Sequence, residues 1–380
     1  MNVKDDFNLT PQLPKNGLTV LELFCGGGLG AIGFKAAGFN IVKALDFDKQ
    51  AVKAYRHNFG DRVEQVDINE VEIDRLPGTD VIFGGPPCQD FSVAGKGAGA
   101  DGERGKLVWR YLEIIERKQP KAFVFENVKG LITKRHRPTF DALIEKFNEI
   151  GYEISWEVLN AWDYGVAQKR ERVFIVGVRK DLEFTFEFPR PLEGDYQTML
   201  LRHVIGDLPN PYVNHAPENK LPTYVQNVLD GKSKTNFGKM PVNNGDSPAR
   251  TVLASYAAKK PNEITNIDGY NRRYTVRETL RLQSAPDTYV LPDDISLSAQ
   301  YRIVGNGIAS RVAWYIGKAL ADQLSCTAQK HRCRAGTAGA LVQPPRPLRS
   351  RKSAWAEHAC RVWRLLESRP PVCSKHGHRT

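Results

Sequence analysis

The sequence contains few cysteines and no long apolar stretch. Within the first 325 residues only Cys25 and Cys88 are cysteines, which is too few for a framework of disulfide bonds. No apolar run approaches the roughly 18 residues that a membrane-spanning helix requires. The first six residues also lack the apolar core of a signal peptide. We therefore expect a cytosolic protein with no membrane partner.

Excess positive charge is confined to one end of the chain, although the 380 residues together have a net charge of +11. Residues 331–380 hold 11 of the 54 Lys and Arg residues but only 2 of the 43 Asp and Glu residues, which leaves a net charge of +2 for the first 330. The overall charge therefore does not by itself indicate a nucleic-acid partner for the body of the protein.

The composition changes from about residue 326, where arginine replaces lysine as the main basic residue and prolines recur. This pattern predicts a basic, disordered tail that adds nonspecific DNA affinity at most, and deletion of residues 331–380 should leave activity intact. The tail holds residue types that bind zinc, but no C-x-x-C pair occurs, so we expect no metal site. These residues are Cys326, Cys333, Cys360, Cys373 and His376.

Strand and helix patterns alternate through the first half of the chain, which predicts an α/β fold with a mostly parallel sheet. A buried strand near residues 18–24 runs into a glycine-rich turn in which Gly28, Gly30 and Gly33 have G-x-G-x-x-G spacing. Asp46 ends the next strand, about where such folds place the acid that binds ribose hydroxyls. The pattern favours an adenosine-containing cofactor and allows NAD and S-adenosylmethionine equally.

A cysteine follows another short apolar strand at a rigid turn. The strand at Val81–Phe83 is stopped by Gly84-Gly85-Pro86-Pro87, and Cys88 comes next. Prolines fix φ and stiffen the turn, so the thiol is expected at the carboxyl end of a strand, where open α/β sheets bind ligands. This position is typical of a nucleophile, which must react as the thiolate.

Two further groups of polar side chains accompany apolar strands. Glu126 ends a strand that begins near Ala122, and it is either a helix cap or a working acid. Gln168, Arg170 and Arg172 alternate before an apolar run, so an extended chain would project all three from one face. The apolar continuation favours a paired or anion-binding role for the arginines.

In this order, the motifs resemble those of the cytosine carbon-5 DNA methyltransferases of bacterial restriction–modification systems. The resemblance covers residues 17–180 and 247–323, and it implies a Rossmann-like S-adenosylmethionine-dependent methyltransferase fold with a smaller, irregular target-recognition domain. The matching segments are Phe24–Gly28, Asp46–Asp48, Pro86–Gln89, Glu126–Val128, Gln168–Arg172, Arg273–Gln283 and Tyr301–Asn306.

The resemblance implies a catalytic role for four residues. Cys88 would add to carbon 6 of cytosine, and Glu126 would hydrogen-bond ring nitrogen 3 and the exocyclic amine. Arg170 would hold the cytosine carbonyl oxygen, with Arg172 supporting it. The base that removes the proton from carbon 5 is not identified by the sequence.

The resemblance also implies that S-adenosylmethionine is the cofactor. Asp46 would bind the ribose, Phe47 would stack on adenine, and Asp67 would accept from the adenine amine. Gly307 stands where the family usually has serine, so that hydroxyl contact is in doubt. The full set of expected cofactor residues is Phe24, Gly26, Gly28, Asp46, Phe47, Asp67, Pro87 and Asn306.

Four segments follow from the resemblance and the composition. We expect a catalytic domain over residues 1–183, a small target-recognition domain over 184–285, a segment over 286–325 that returns to the catalytic domain, and the tail over 326–380. In the returning segment, four apolar residues share one helix face: Ile308, Val312, Ile316 and Leu320.

The expected substrate is a cytosine flipped out of a specific double-stranded DNA sequence. We expect a monomer associated with the bacterial nucleoid, with a cognate restriction endonuclease that acts on the same site. One alternative is an RNA (tRNA) cytosine methyltransferase, although no Cys-Phe-Thr element occurs before the late motifs. A NAD-dependent oxidoreductase would leave the Pro-Pro-Cys-Gln motif without a role. An inactive DNA-binding module would be expected to lack Cys88 or Glu126.

Overall fold

The computed structural model describes residues 7–87, 103–209, 242–254, 264–267 and 271–337, together with Thr223, Asn227, Lys232 and Gly269. The chain divides into two compact units, residues 1–330 and residues 331–380. Much of the expected target-recognition domain lies outside the described residues, so the boundaries at residues 184 and 286 stay predictions.

A seven-stranded sheet forms the centre of the first unit. The strands of this part of the chain are β1 Thr19–Leu23, β2 Asn40–Asp46, β3 Val63–Gln65, β4 Val81–Gly84, β5 Ala122–Val128, β6 Tyr152–Asn160, β7 Gln168–Lys169 and β8 Glu171–Arg179. Their order in the sheet is β3-β2-β1-β4-β5-β8-β6. Strands β1 to β5 pair in parallel, whereas β8 pairs in antiparallel fashion with β5 and β6. The predicted α/β fold with a mostly parallel sheet is confirmed.

The strands at the centre of the sheet are apolar because helices cover both of their faces. All four residues of β4 are buried, as are the first four of β5, Ala122–Phe125. Glu126, which the sequence placed at the end of this strand, is followed by two more strand residues, because β5 continues to Val128 in register with β8.

The helices are α1 Leu29–Ala36, α2 Lys49–Phe59, α3 Glu103–Lys118, α4 Arg137–Glu149, α5 Leu201–Ile205, α6 Val276–Leu282, α7 Leu297–Asn306 and α8 Ser310–Thr337. Asp48 caps α2 by accepting from the backbone N–H of Gln50 at 2.8 Å. Thr275 and Glu278 form a capping box at the start of α6. No helix in the described part of the chain is both long enough and apolar enough to cross a membrane.

Helix α8 returns to the cofactor half of the sheet and packs closely on α1. A Cβ atom on Gly33 would lie 2.3 Å from the carbonyl oxygen of Ser310, so only glycine allows this approach. The predicted apolar face is buried at all four positions, Ile308, Val312, Ile316 and Leu320. The helix runs on to Thr337, so residues 326–337 are helical where the composition suggested a disordered tail.

Three short strands lie later in the chain than the sheet: β9 Ala249–Arg250, β10 Ile264–Thr265 and β11 Arg272–Arg273. Strand β9 pairs in parallel with β7, and β10 pairs in antiparallel fashion with β11. The β7–β9 pair attaches residues 249–250 to the segment that leads into β8.

Candidate active site

A cavity of about 990 Å³ opens at the carboxyl ends of β1, β2, β4 and β5, where parallel sheets bind ligands. Most of the sequence-predicted site residues line it. They are Phe24, Gly26, Asp46, Phe47, Asp67, Pro87, Glu126, Arg170, Arg172 and Asn306. Gly28 is not part of the lining, and Cys88 lies outside the described residues.

The turn after β1 is held tightly against the end of β2. Phe24 and Gly26 both have positive φ, at 55° and 53°, and the backbone N–H of Gly26 donates to Asp46 Oδ2 at 2.7 Å. The other oxygen of Asp46 accepts from the N–H of Asp48 at 2.8 Å. Burial raises the pKa of Asp46 although these hydrogen bonds act in the opposite direction.

Gly28 lies against α2 and does not line the cavity. It precedes α1 with a φ of 87°, and a Cβ atom there would lie 2.5 Å from the ring of Phe59 and 2.8 Å from that of Tyr55. The position therefore requires glycine both for its conformation and for the close approach of α2.

An aromatic ring and several carboxylates surround one end of the cavity. The Phe47 side chain is 72% exposed, which is unusual for so large an apolar residue. Asp67 Oδ1 accepts from the N–H of Asn69 at 2.9 Å. Arg302 Nη2 contacts Asp48 Oδ2 at 2.7 Å, which joins α7 to the turn that carries Phe47.

Glu126 and Arg172 form an ion pair at the other end. The distance from Arg172 Nε to Glu126 Oε1 is 3.0 Å, and the two side chains are 16% and 15% exposed. Burial raises the pKa of Glu126, whereas the charges of Arg172 and Arg170 oppose that shift. A Cβ atom on Gly85 would lie 2.8 Å from Glu126 Oε2, so glycine lets the turn after β4 reach this carboxyl group.

The turn that leads toward Cys88 is anchored to β5. Asn127 is buried, and its Nδ2 donates to the carbonyl oxygen of Pro86 at 2.8 Å. This bond, together with the two rigid prolines, fixes the backbone at Pro86 and Pro87 beside Glu126.

The Arg170 guanidinium donates hydrogen bonds to three backbone carbonyls. Its Nη atoms donate to Val252 at 3.1 Å, to Gly305 at 3.0 Å and to Gly307 at 2.7 Å, and the side chain is 2% exposed. Its Nε has no hydrogen-bond partner among the residues that the structure describes. Burial lowers the pKa of Arg170 to about 9, Arg172 adds to this effect, and Glu126 opposes it. Arg172 therefore contacts Glu126, whereas Arg170, which lies between β7 and β8, holds the backbone at Val252, Gly305 and Gly307.

Glu22 is a cavity residue that the sequence did not single out. It lies in β1 at 2% exposure, and Tyr55 donates its hydroxyl to Glu22 Oε2 at 2.9 Å. Burial raises its pKa to about 8, the Tyr55 hydrogen bond lowers it, and the charge of Asp46 raises it. The available signal was a carboxyl group in the middle of an apolar strand.

Comparisons with known proteins identify one family. A family model described as C-5 cytosine-specific DNA methylase matches residues 18–322. The Type II methyltransferase M.FnuDI of Fusobacterium nucleatum is 37% identical over 330 residues, which cover 81% of this chain and 95% of that protein. The Type II methyltransferase M.MthTI of Methanothermobacter thermautotrophicus is 33% identical over 327 residues, which cover 81% of this chain and 98% of that protein.

Solved structures show the same fold at lower identity. The S. pombe Dnmt2 methyltransferase aligns with a TM-score of 0.66 and 18% identity, and the match covers 81% of this chain and 99% of that chain. A putative DNA modification methyltransferase of an E. coli prophage aligns with a TM-score of 0.59 and 20% identity, over 81% and 100% of the two chains.

Proposed function

Since the chain belongs to the family of C-5 cytosine-specific DNA methylases, we propose that it methylates carbon 5 of a cytosine flipped out of a specific duplex DNA sequence, through a covalent adduct with Cys88. Its relatives over most of its length are Type II methyltransferases, so the enzyme is a cytosine methyltransferase of the restriction–modification type. The methyl donor in this proposal is S-adenosylmethionine.

One observation carries the proposal: the Glu126–Arg172 ion pair shares a single cavity with Phe47 and Asp46. The first pair presents a carboxyl group and a guanidinium to a polar heterocycle. The second pair presents an aromatic face and a carboxylate to a nucleoside. Both groups of residues must face one cavity if a methyl group is to pass from a cofactor to a base.

Cys88 supplies the nucleophile in this proposal. Its thiolate forms a bond to carbon 6 of cytosine, and the electron pair of the 5,6 double bond moves to carbon 5, which then accepts the methyl group. A base, which the sequence does not identify, then takes the proton from carbon 5, and the electron pair of that C–H bond re-forms the 5,6 double bond and expels the thiolate. The anchored turn at Pro86 and Pro87, directly before Cys88, supports a fixed approach to the ring.

Glu126 and Arg172 stabilise the charge that develops on the ring. The Glu126 carboxyl group would hydrogen-bond ring nitrogen 3 and the exocyclic amine as sulfur adds, from the position in which Arg172 holds it. We assign the cytosine carbonyl oxygen to Arg172 rather than to Arg170, because the Nη atoms of Arg170 are already bonded to three backbone carbonyls. A positioned guanidinium in a buried site stabilises a developing oxyanion strongly.

The acidic end of the cavity suits S-adenosylmethionine, which supplies an electrophilic methyl group when it is bound. Phe47 would provide a stacking face for adenine, Asp46 would bind the ribose hydroxyls, and Asp67 would accept from the adenine amine. The open space around Gly26 lets the backbone approach the ligand, since a Cβ atom there would meet nothing within 4 Å. Phe24, Pro87 and Asn306 complete the proposed pocket.

The biological setting follows from the substrate. We propose that the enzyme acts as a monomer at the nucleoid and shares its recognition sequence with a cognate restriction endonuclease. The target-recognition role of residues 184–285 is part of this proposal.

The experiment that tests the function is transfer of labelled methyl from S-adenosylmethionine to duplex DNA, to tRNA and to no acceptor. Genomic DNA from an unmodified host supplies every possible target sequence. We expect label in DNA for the wild type and none for Cys88→Ala. Label in tRNA but not in DNA would contradict the proposed substrate.

A further inference from the structure

The rim of the cavity has a run of basic residues that the proposed chemistry does not use. Residues 129–137 connect β5 to the first residue of α4, and we call this segment the basic loop. It contains Lys129, Lys134, Arg135, His136 and Arg137 and no acidic residue. The first turn of α4 also lacks an acidic residue, so nothing in that turn offsets these charges.

The basic loop forms part of the cavity wall. Gly130, Leu131 and His136 line the cavity, and Lys134 and Arg135 come between them in the chain. Glu126 lines the same cavity from β5, and it lies three residues before Lys129 in the sequence. The basic loop therefore lies beside the same cavity as the Glu126–Arg172 pair.

The backbone of the basic loop is fixed by successive turns. Two hydrogen bonds join Thr133 to Gly130, because the N–H and the Oγ1 hydroxyl of Thr133 both donate to the Gly130 carbonyl oxygen, at 3.2 and 2.7 Å. The N–H of His136 then donates to the carbonyl oxygen of Thr133 at 2.9 Å. Leu131 is 3% exposed and anchors the loop in the core. Lys134 and Arg135 therefore lie on a defined turn.

Two of the basic side chains are already neutralised, and two are not. Lys129 pairs with Glu171 at 2.7 Å, and Arg137 pairs with Asp141 at 2.7 Å. Lys134 and Arg135 are exposed, and they make no ion pair or side-chain hydrogen bond within the described part of the chain. Adjacent unpaired cations repel each other, and an external polyanion would relieve this repulsion.

We propose that the basic loop binds the sugar–phosphate backbone of duplex DNA beside the flipped cytosine, with Lys134 and Arg135 each contacting a phosphate. This inference rests on the proposed function, because it takes DNA as the substrate of the adjacent cavity. Two exposed cations on neighbouring residues of a fixed turn suit successive phosphates of one strand. Such contacts position a duplex and carry no sequence information.

The test compares Lys134→Ala/Arg135→Ala with Lys15→Ala/Lys180→Ala, which removes the same charge elsewhere. Lys15 precedes β1 and Lys180 follows β8, so both lie at the edge of the sheet opposite the cavity, and both are exposed. Binding of a labelled duplex of mixed sequence is followed by fluorescence anisotropy over a series of salt concentrations. Calorimetry of S-adenosylmethionine binding checks that each variant retains its cofactor pocket.

We expect the loop variant to bind DNA about 10-fold or more weakly at low salt. The slope of log affinity against log salt should become shallower by about 2, since each phosphate contact contributes roughly 0.9. The control variant should match the wild type more closely in slope, and both variants should bind cofactor normally. Equal slopes for the two variants, with a wild type that binds duplex, would overturn the role of the loop and leave the function intact. A wild type that binds no duplex DNA at any salt would overturn both.

Discussion

Arg172 Nε lies 3.0 Å from Glu126 Oε1 across the antiparallel β5–β8 pair, whereas the Nη atoms of Arg170 donate to backbone carbonyls. The two arginines are only two residues apart in sequence, yet they serve different ends. Arg172 pairs with a carboxyl group of the cavity, and Arg170 holds the backbone of three residues from later in the chain.

Arg170→Lys and Arg172→Lys should therefore fail in different ways. A lysine at position 170 cannot reach three carbonyl oxygens, so we expect the free energy of unfolding to fall by roughly 2–4 kcal/mol. A lysine at position 172 keeps the charge but loses the planar donor group, so we expect methyl transfer to fall about 100-fold with stability changed by less than about 1 kcal/mol. Urea unfolding and single-turnover kinetics measure the two effects. The reverse pattern would show that Arg170 is the residue that contacts the base.

Gly85→Ala should impair catalysis by displacing Glu126. The new Cβ atom would lie 2.8 Å from Glu126 Oε2, so the carboxyl group must move out of its pair with Arg172. We expect methyl transfer to fall at least about 10-fold while cofactor binding is retained. Gly78→Ala is the matched control, because a Cβ atom there meets nothing within 4 Å. Equal activity of the two variants would show that Glu126 does not need its observed position.

Phe47→Ala should weaken cofactor binding without destabilising the fold. The ring is 72% exposed, so its removal costs little packing, whereas the loss of a stacking face for adenine is worth about 1–3 kcal/mol. We expect the dissociation constant of S-adenosylmethionine to rise about 10-fold in calorimetry. Tyr196→Ala removes a ring that is 62% exposed and does not line the cavity, and it should leave cofactor affinity unchanged. Similar affinities for both variants would argue against stacking at Phe47.

Glu22 should make stability depend on pH. Its pKa is raised from 4.5 to about 8 in the folded state, so the folded protein holds this proton more tightly than the unfolded chain. The stabilisation is complete below pH 4.5 and is lost as the pH rises toward about 8, which amounts to a few kcal/mol. Urea unfolding of Glu22→Gln should show a weaker decline over this range than the wild type. The exposed Glu153→Gln should follow the wild type, and a Glu22→Gln curve parallel to both would refute the linkage.

The position of the cavity could be predicted from the sequence, because side chains at the carboxyl ends of neighbouring parallel strands lie close together. Apolar strands that lead into Asp46, Pro86 and Glu126 predict a common edge, and the structure places these residues around one cavity. The sequence did not predict that Arg170 and Arg172 have different partners. A single extended strand would project both to one face, but pairing breaks at Arg170, between β7 and β8, so local alternation does not specify the partners of each arginine.

Two further differences have similar causes. The G-x-G-x-x-G spacing indicated that Gly28 approaches the cofactor, but the structure uses its positive φ and missing side chain for packing against Tyr55 and Phe59. Glycine spacing alone does not distinguish these uses. The sequence did not identify Glu22 as a cavity residue, because its hydrogen-bond partner Tyr55 lies on α2, in a distant part of the sequence.

The covalent step is tested most directly by mass spectrometry of the protein after incubation with S-adenosylmethionine and duplex DNA that carries 5-fluorocytosine. Fluorine at carbon 5 cannot leave as a proton does, so the adduct with the nucleophile should persist. We expect a stable protein–DNA adduct that maps to Cys88 and is missing in Cys88→Ala, while Cys25→Ala still forms it. An adduct on another residue, or methylated 5-fluorocytosine DNA without any adduct, would contradict nucleophilic catalysis by Cys88.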